Sequence, residues 1–355
     1  ILKLLIAVCL LPSIVLAENP PTRPLGRAFD KLKAGQETAI AYFGGSITAA
    51  AGYRVKTLKW FQDTFPNAKI REINAAIGGT GSDLGAFRCG VDVIGQKPDL
   101  VFVEFNINDG SPTNEFRKAT MEGIVRQLWA SDTKPEIVFL YTTSRDLNCA
   151  RGSHPAVAKH YGIPEIDLQP PLIEALKRPD LPKPTEEQLK NPKFNWKAIG
   201  QVFMGDSVHP NDLGHTIYTD TITAYLKTQI DAKPSAAPVL QAALVSDEFQ
   251  HAKLVPPNKA KLSGDWEALP ADEKNGLLKR YKDGTINARK AGDSLRQDDE
   301  DAAQHKRALE GAGPEKGDGV LPDNRDGGIP PGSEGNPGAA HRPPLHDYPG
   351  ARTGS

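Results

Sequence analysis

The sequence has no excess of charge of either sign and contains only three cysteines. Its 355 residues include 43 Lys and Arg and 44 Asp and Glu, which gives a net charge of −1. A nucleic-acid or polyanion partner would require a clustered basic face, and no basic stretch stands out. Nothing has the clustered Cys and His spacing of a zinc site. Composition therefore gives no support for nucleic acid as a partner or for a structural metal.

Residues 1–17 are typical of a secretory signal peptide. Lys3 precedes an apolar region at residues 4–15, and small residues before Glu18 offer a cleavage site. The apolar run is too short for a membrane span, so we expect none in the mature chain. Because the chain begins without Met, we expect the basic start of this signal to be truncated. The signal predicts a secreted or periplasmic protein; the minor alternative is lipid attachment at Cys9, although apolar residues continue after it.

Removal of that segment leaves two cysteines, Cys89 and Cys149. In an oxidising compartment they could form a disulfide. Two buried free thiols are the plainer interpretation, and the sequence leaves both open.

Short apolar runs alternate with amphipathic stretches from residue 38 to about residue 230, which is typical of a parallel sheet covered by helices. Residues 99–105 are nearly all apolar, as expected for a central strand that is buried on both faces. We predict strands at residues 39–43, 70–77, 99–105, 136–141 and 163–168, and helices at residues 115–130 and 211–230.

The C-terminal third differs in composition from this α/β region. We predict an α/β domain at residues 30–232, a linker at residues 233–243, an incomplete β module at residues 244–296 and a disordered tail at residues 297–355. The tail is rich in Gly, Pro and charged residues and cannot bury enough apolar surface to become ordered. A frameshift within the β module would also produce such an end, and the other reading frames of the nucleotide sequence would reveal it.

A Pro- and Lys-rich insertion at residues 178–203 carries Phe194, Trp196 and Phe203. A loop of this length at the functional end of a fold often shapes a pocket. A surface insertion with a few anchoring aromatic residues explains it equally well, so both interpretations stay open.

Ser46 follows the first predicted strand through Gly44 and Gly45, which permit a tight turn and close approach by a substrate. Because a helix begins after Ser46, its hydroxyl is expected at the carboxyl end of the sheet, where open α/β folds bind ligands. Its backbone N–H, at the start of that helix, would point to where an oxyanion forms. This indicates a nucleophile, although an N-cap serine has the same local pattern.

Asp206 and His209 lie three residues apart in a loop before a predicted helix. This spacing lets the carboxylate bind one ring nitrogen while the other faces outward, which fixes the tautomer and stabilises the imidazolium. A capped loop with a merely exposed histidine is the alternative. A metal site is a further alternative because Asp212 and His215 continue the three-residue spacing, but both fall inside the predicted helix and turn away from the first pair.

Gly79 and Asn108 follow the second and third predicted strands. The Gly79 N–H and the Asn108 side-chain amide could each donate to an oxyanion. Gly79, Gly81 and Gly85 also form a loose glycine repeat, but a dinucleotide loop belongs after the first strand. Asn108 begins an Asn-Asp-Gly sequence that is good turn chemistry on its own, and we expect Asp109 to fix that turn.

These segments resemble the four signature blocks of the SGNH hydrolases, also called GDSL-type esterases and lipases, which contribute Ser, Gly, Asn and His in that order. The matching segments are residues 44–48, 74–82, 104–110 and 206–211. The first block departs from the commoner pattern because Gly45 stands where an Asp is usual. The resemblance covers residues 33 to about 230 and does not extend to the C-terminal third.

The resemblance implies a flavodoxin-like three-layer α/β/α sandwich with a five-stranded parallel sheet and no cofactor. It implies that Ser46, His209 and Asp206 are catalytic and that the Ser46 and Gly79 N–H groups and the Asn108 amide form the oxyanion hole. It does not fix the substrate, because the superfamily includes lipases, arylesterases, thioesterases and carbohydrate acetylesterases.

We therefore predict a secreted serine esterase that acts on small-molecule or polysaccharide esters. The export signal and the predicted β module, which would suit carbohydrate binding, favour short acyl groups such as O-acetyl on saccharides. The alternatives are a non-catalytic carbohydrate-binding or scaffold protein on the same fold, and an acyltransferase.

Overall fold

A computed structural model of the chain describes residues 20–110, 113–181, 190 and 202–254, together with four short strands between residues 260 and 297. The predicted signal peptide, most of the insertion at residues 178–203 and the tail beyond residue 297 lie outside the described residues.

The α/β region contains one parallel sheet of five strands in the order β2-β1-β3-β4-β5. Every residue of β3 and β4 is buried, as the nearly continuous apolar sequence of these strands requires. The predicted five-stranded parallel sheet is confirmed. Its strands are β1 (Glu37–Gly44), β2 (Lys69–Asn74), β3 (Leu100–Glu104), β4 (Glu136–Tyr141) and β5 (Glu165–Asp167).

Helices cover both faces of this sheet, because side chains along each strand alternate between two separate apolar clusters. Ile40 and Tyr42 of β1 belong to the cluster under α1, α3, α8 and α9. Ala41 and Phe43 belong to the cluster under α4, α6 and α7. The helices are α1 (Gly26–Lys33), α2 (Ser46–Ala49), α3 (Tyr53–Thr64), α4 (Ser82–Asp92), α5 (Asn106–Asp109), α6 (Glu115–Ala130), α7 (His154–Tyr161), α8 (Gln169–Ala175) and α9 (Asp212–Gln229).

Both remaining cysteines belong to the cluster that contains α4, and both are free thiols. Burial raises the pKa of Cys89 and of Cys149 to about 12, so neither is a reactive thiolate at neutral pH. The disulfide that the sequence left open is not formed.

The second strand ends three residues earlier than predicted. Asn74 Oδ1 accepts the N–H of Ala76, at 3.2 Å, and this local turn competes with the regular ladder. The chain still follows β1, since Ile77 N donates to Gly44 O at 3.0 Å. Gly79 therefore lies in a loop beyond the strand and not at its last residue.

Residues 233–243, predicted as a linker, run into a segment that is packed on helix α6. The carboxylate of the fully buried Glu122 accepts the N–H groups of Val245 and Ser246, at 2.8 and 3.1 Å. Phe249 lies against Gly123, where an added Cβ would collide with it. A buried carboxylate requires such donors, so this segment satisfies a group in the α/β core that would otherwise be costly.

Further along the chain are two short antiparallel pairs. The strands β6 (Ala260–Ser263) and β9 (Ser294–Gln297) form one pair, and β7 (Trp266–Ala268) and β8 (Ile286–Ala288) form the other. Apart from Gln297, the last residue of β9, they fall within the predicted β module, whose limits stay a prediction. None of the helices that the structure describes combines the length and the apolar character needed to span a bilayer.

Candidate active site

Ser46 lies at the carboxyl end of β1, where the chain turns directly into α2. Gly45 occupies the N-cap position with an extended backbone, and Ser46 is the first helical residue. The Gly45 N–H donates to Glu104 O of the neighbouring strand at 3.2 Å, which holds the turn against the sheet. The capping position that the sequence allowed for Ser46 is therefore taken by Gly45. The first N–H groups of a helix have no intrahelical acceptor, so the Ser46 N–H is available to a ligand.

The side chains of Ser46, His209 and Asp206 form a continuous hydrogen-bonded chain. His209 Nε2 lies 2.7 Å from Ser46 Oγ, and His209 Nδ1 lies 2.7 Å from Asp206 Oδ2. The His209 and Asp206 side chains are 43% and 56% exposed, whereas Ser46 is half-buried. The structure thus brings together the three residues predicted to be catalytic, on a face open to solvent.

The loop that carries His209 is held by its own hydrogen bonds. Asp206 Oδ1 accepts the N–H groups of Val208 and His209, each at 2.8 Å, so one carboxylate fixes both the loop and the imidazole. Partial burial opposes ionisation, but these two N–H groups and the imidazole lower the pKa of Asp206 below its usual value. Asp206 is therefore ionised throughout the neutral range. Asn211 caps the following helix by accepting the N–H of Gly214 at 3.0 Å.

The segments that carry the two predicted oxyanion donors lie on either side of Ser46. A Cβ at Gly78 would be 3.6 Å from the Ser46 Cβ, so the Gly78–Gly79 loop runs beside the serine. Gly79 has φ +74, a left-handed conformation that favours glycine. On the other side, a Cβ at Gly45 would collide with Asn108 Oδ1, so the Asn108 amide lies directly over the turn.

The metal alternative is not supported by the positions of Asp212 and His215. His215 is buried in α9, where its Nδ1 accepts the N–H of Tyr53 at 3.1 Å. Burial, followed by the charge of Lys56, lowers the pKa of His215 to about 4, so this ring is neutral. Asp212 pairs with Lys56 at 2.8 Å. Within the part of the chain that the structure describes, no group of three acidic, His or Cys side chains could hold a metal ion.

Glu104, at the end of β3, is a buried polar residue near Ser46 that the sequence analysis did not single out. It accepts hydrogen bonds from Thr48 Oγ1 at 2.7 Å and from Thr142 Oγ1 at 3.1 Å. Burial raises the pKa of Glu104 to about 7. A charged residue within an otherwise apolar strand is the sequence signal that could have revealed it.

Arg88, in α4, is a second residue that was missed. Its fully buried guanidinium donates to Gly44 O at 3.2 Å and also to Ala75 O. It therefore joins the first strand to the segment that leads to Gly79. The sequence analysis predicted no helix at this position, and a lone arginine is a weak signal of burial because long basic side chains often lie along an apolar face with their charge in water.

Comparison with known proteins identifies the family. Residues 42–217 match the model of the GDSL-like lipase/acylhydrolase family. No curated protein matches the chain.

Several solved structures are similar to this chain. Two structures of a two-domain esterase active on acetylated mannans, one co-crystallised with mannopentaose, are 27% and 28% identical, with TM-scores of 0.60 and 0.61. In both, the match covers 78% of this chain and 73% of theirs. An acetylxylan esterase from Geobacillus stearothermophilus is 21% identical over 54% of this chain and 95% of its own, with a TM-score of 0.41.

The fold and the family match define the class of protein. The chain belongs to the SGNH hydrolase superfamily. It is a carboxylic ester hydrolase.

Proposed function

We propose that this protein is a secreted esterase that removes O-acetyl groups from saccharides by forming an acyl-enzyme at Ser46. The hydrogen-bonded chain from Asp206 through His209 to Ser46 carries the proposal, with both contacts at 2.7 Å. Similarity to an esterase active on acetylated mannans supports the saccharide substrate.

In the first half of the reaction, Ser46 Oγ attacks the ester carbonyl while His209 Nε2 takes its proton. The ionised Asp206 stabilises the imidazolium that forms. The N–H groups of Ser46 and Gly79 and the Asn108 amide donate to the oxygen on which negative charge develops. When the tetrahedral intermediate collapses, His209 returns its proton to the leaving sugar hydroxyl.

In the second half, water attacks the acetyl-enzyme with His209 again as the base. The acetyl–Ser46 bond breaks, acetate leaves and the serine regains its proton. The exposure of His209 and Asp206 gives water direct access to this step. It also suits a bulky saccharide, of which only the acetyl group needs to reach the turn at Gly45.

Acetate release from an acetylated mannan tests the proposal. We expect Ser46→Ala to lose essentially all turnover, by roughly 10⁵-fold or more. Ser235→Ala, a matched change at a hydroxyl that contacts Arg23, should behave as the wild type. A fluorophosphonate probe should label the wild type and not Ser46→Ala. Full activity in Ser46→Ala would refute the mechanism, and a wild type that neither reacts nor hydrolyses would indicate a non-catalytic binding protein.

A series of p-nitrophenyl esters tests the acyl length. We expect kcat/KM to be highest for acetate and to fall as the chain lengthens. Activity that rises towards long acyl chains would instead identify a lipase. Addition of an acceptor saccharide distinguishes hydrolysis from acyl transfer, because a transferase would form a new ester in place of free acetate.

Export is tested on the protein secreted by its host or by a heterologous strain. We expect the mature chain in the medium or periplasm to begin at Glu18, after removal of residues 1–17. Retention in the cytoplasm with residues 1–17 intact would contradict this part of the proposal.

A further inference from the structure

The two proposed oxyanion donors, Gly79 and Asn108, belong to separate segments: Gly79 lies in the loop after β2, and Asn108 lies in the short helix α5 after β3. Both residues are exposed. An oxyanion hole acts through donors that are already in place when charge develops, and a displacement of about 1 Å can cost roughly 100-fold in rate. A buried group that holds the two segments in register would therefore support the oxyanion hole.

The side chain of Asp109 joins these two segments. It follows Asn108 directly, and its Oδ1 accepts the N–H of Ser82, three residues after Gly79, at 2.9 Å. Its side chain is only 3% exposed. One carboxylate thus connects the segment of the side-chain donor to the segment of the backbone donor.

His154 holds this carboxylate from the opposite side. His154 Nε2 lies 2.8 Å from Asp109 Oδ2, and the His154 side chain is 2% exposed. The ring is packed against Phe139 and Tyr141 of β4, with centroids 6.2 Å apart in each case. Since β4 is a fully buried strand, His154 anchors Asp109 to the rigid part of the sheet.

Other contacts around the pair support a fixed arrangement. Arg117 Nη1 of α6 lies 3.4 Å from Asp109 Oδ1 and 2.8 Å from Asp83 Oδ2. Ser153, next to His154, accepts the N–H of Asn114 and donates to its carbonyl, at 2.9 and 2.8 Å. The start of α7 is therefore tied to the chain that follows α5.

We propose that His154 is a positioning residue for the oxyanion hole, because it orients Asp109, which in turn keeps the loop of Gly79 and the helix of Asn108 together. The inference rests on the proposed function. His154 does not touch the substrate: it acts by donating its Nε2 proton to Asp109. A substitution that keeps a donor at that place should preserve catalysis, and one of similar size without a donor should not.

The test compares His154→Gln with His154→Leu. The Gln amide can reach the position of Nε2, whereas Leu has no donor. His160→Leu is the matched control, since His160 lies on the same helix but contacts Ala242 O, 2.9 Å away, instead of Asp109.

The readouts are kcat and KM for p-nitrophenyl acetate and the Ki of a trifluoromethyl ketone. In that inhibitor complex Ser46 Oγ bonds to the carbonyl carbon, the C=O electron pair becomes an oxyanion, and the serine proton moves to His209.

We expect His154→Leu to lower kcat by about 10- to 100-fold and to weaken the trifluoromethyl ketone by the same factor, with KM nearly unchanged. His154→Gln and His160→Leu should stay close to the wild type in kcat, KM and Ki. If His154 had only a structural role, His154→Leu would lower the melting temperature, but its kcat and its affinity for the trifluoromethyl ketone would not fall by the same factor. If His154→Leu does not fold, His154→Asn replaces it, because its shorter amide does not reach Asp109.

The inference is overturned if the donor-free variant keeps wild-type kcat and Ki, or if His154→Gln loses as much as His154→Leu. A wild-type activity that survives Ser46→Ala would overturn the proposed function and this inference with it. Ser46-dependent activity that is insensitive to His154 would overturn this inference alone.

Discussion

Two Asp–His pairs in this protein have nearly equal hydrogen-bond lengths and opposite surroundings. Asp206 and His209 are 2.7 Å apart with side chains 56% and 43% exposed. Asp109 and His154 are 2.8 Å apart with side chains 3% and 2% exposed. The exposed imidazole also lies 2.7 Å from Ser46 Oγ. An Asp–His contact alone therefore does not single out a candidate base. The contact with Ser46 and the access to solvent distinguish His209 from His154.

The second carboxylate oxygen of each pair shows a further difference. In Asp206 it accepts N–H groups from its own loop, so it organises a local turn. In Asp109 it accepts the N–H of Ser82, the first residue of α4, from another segment of the chain. The first pair is thus a self-contained unit that can move a proton, and the second is a connection between segments.

The two Asp–His pairs should differ most in the loss of turnover that follows when their histidines are replaced. His209→Ala removes the proton acceptor of Ser46, and we expect kcat to fall by about 10⁵- to 10⁶-fold. The melting temperature should hardly change, since the side chain is 43% exposed. Steady-state kinetics and thermal melts of His209→Ala and His154→Leu make the comparison, and equal losses of kcat would remove the distinction between the pairs.

Substitution of Asp206 should mainly lower activity, whereas substitution of Asp109 should mainly lower the stability of the fold. Asp206→Asn disturbs the tautomer of His209, so we expect kcat to fall by about 10³- to 10⁴-fold with little effect on stability. Asp109→Asn breaks a buried pair and should destabilise the fold by about 3 kcal/mol. Urea denaturation and kinetics of both variants test this. A large stability loss in Asp206→Asn, or none in Asp109→Asn, would contradict it.

The same contrast explains which site residues the sequence could predict. Asp206 and His209 are three residues apart, so their contact follows from local spacing, and Ser46 meets them because β1 and the loop before α9 end at one edge of the sheet. Asp109 and His154 are 45 residues apart. Their contact depends on how α7 packs on β4, which no local pattern reports.

The fold also contains parts that the sequence could predict and a part that it could not. The alternating apolar pattern predicted all five strands, and the helix predicted at residues 115–130 has the observed limits, because burial on a sheet or helix face leaves a periodic signal. The segment after residue 233 has no such pattern. It is placed by backbone N–H groups that donate to Glu122, and backbone donors are the same in every sequence.

Gly45 provides a smaller, more local test of the exposed site. Because an added Cβ would collide with Asn108 Oδ1, Gly45→Ala should displace the Asn108 amide. We expect kcat to fall by about 10- to 100-fold, less than the roughly 10²- to 10³-fold expected for Asn108→Ala. Gly45→Ala should cost nothing further when it is combined with Asn108→Ala. Additive losses would show that Gly45 serves another purpose.

Glu104 extends the comparison to a third carboxylate, one that is buried without a basic partner among its hydrogen bonds. Burial raises its pKa from 4.5 to about 7, whereas backbone N–H donors lower the pKa of the exposed Asp206. Between pH 4.5 and about pH 7, the folded chain holds a proton on Glu104 that the unfolded chain has released. Stability should therefore fall as the pH rises from 4.5 to 7 and remain lowered above 7, by at most about 3 kcal/mol.

Glu104→Gln should remove this dependence, because an amide can bond to Thr48 and Thr142 without carrying a charge. The free energy of unfolding in urea, measured at pH 5 and pH 8 for both proteins, gives the result as a difference in which all other titrating groups cancel. We expect the variant to gain stability relative to the wild type at pH 8 and not at pH 5. An advantage for the wild type at pH 8 would contradict this prediction. It would mean that the surrounding hydrogen bonds stabilise the ionised Glu104 carboxylate enough to offset the cost of its burial.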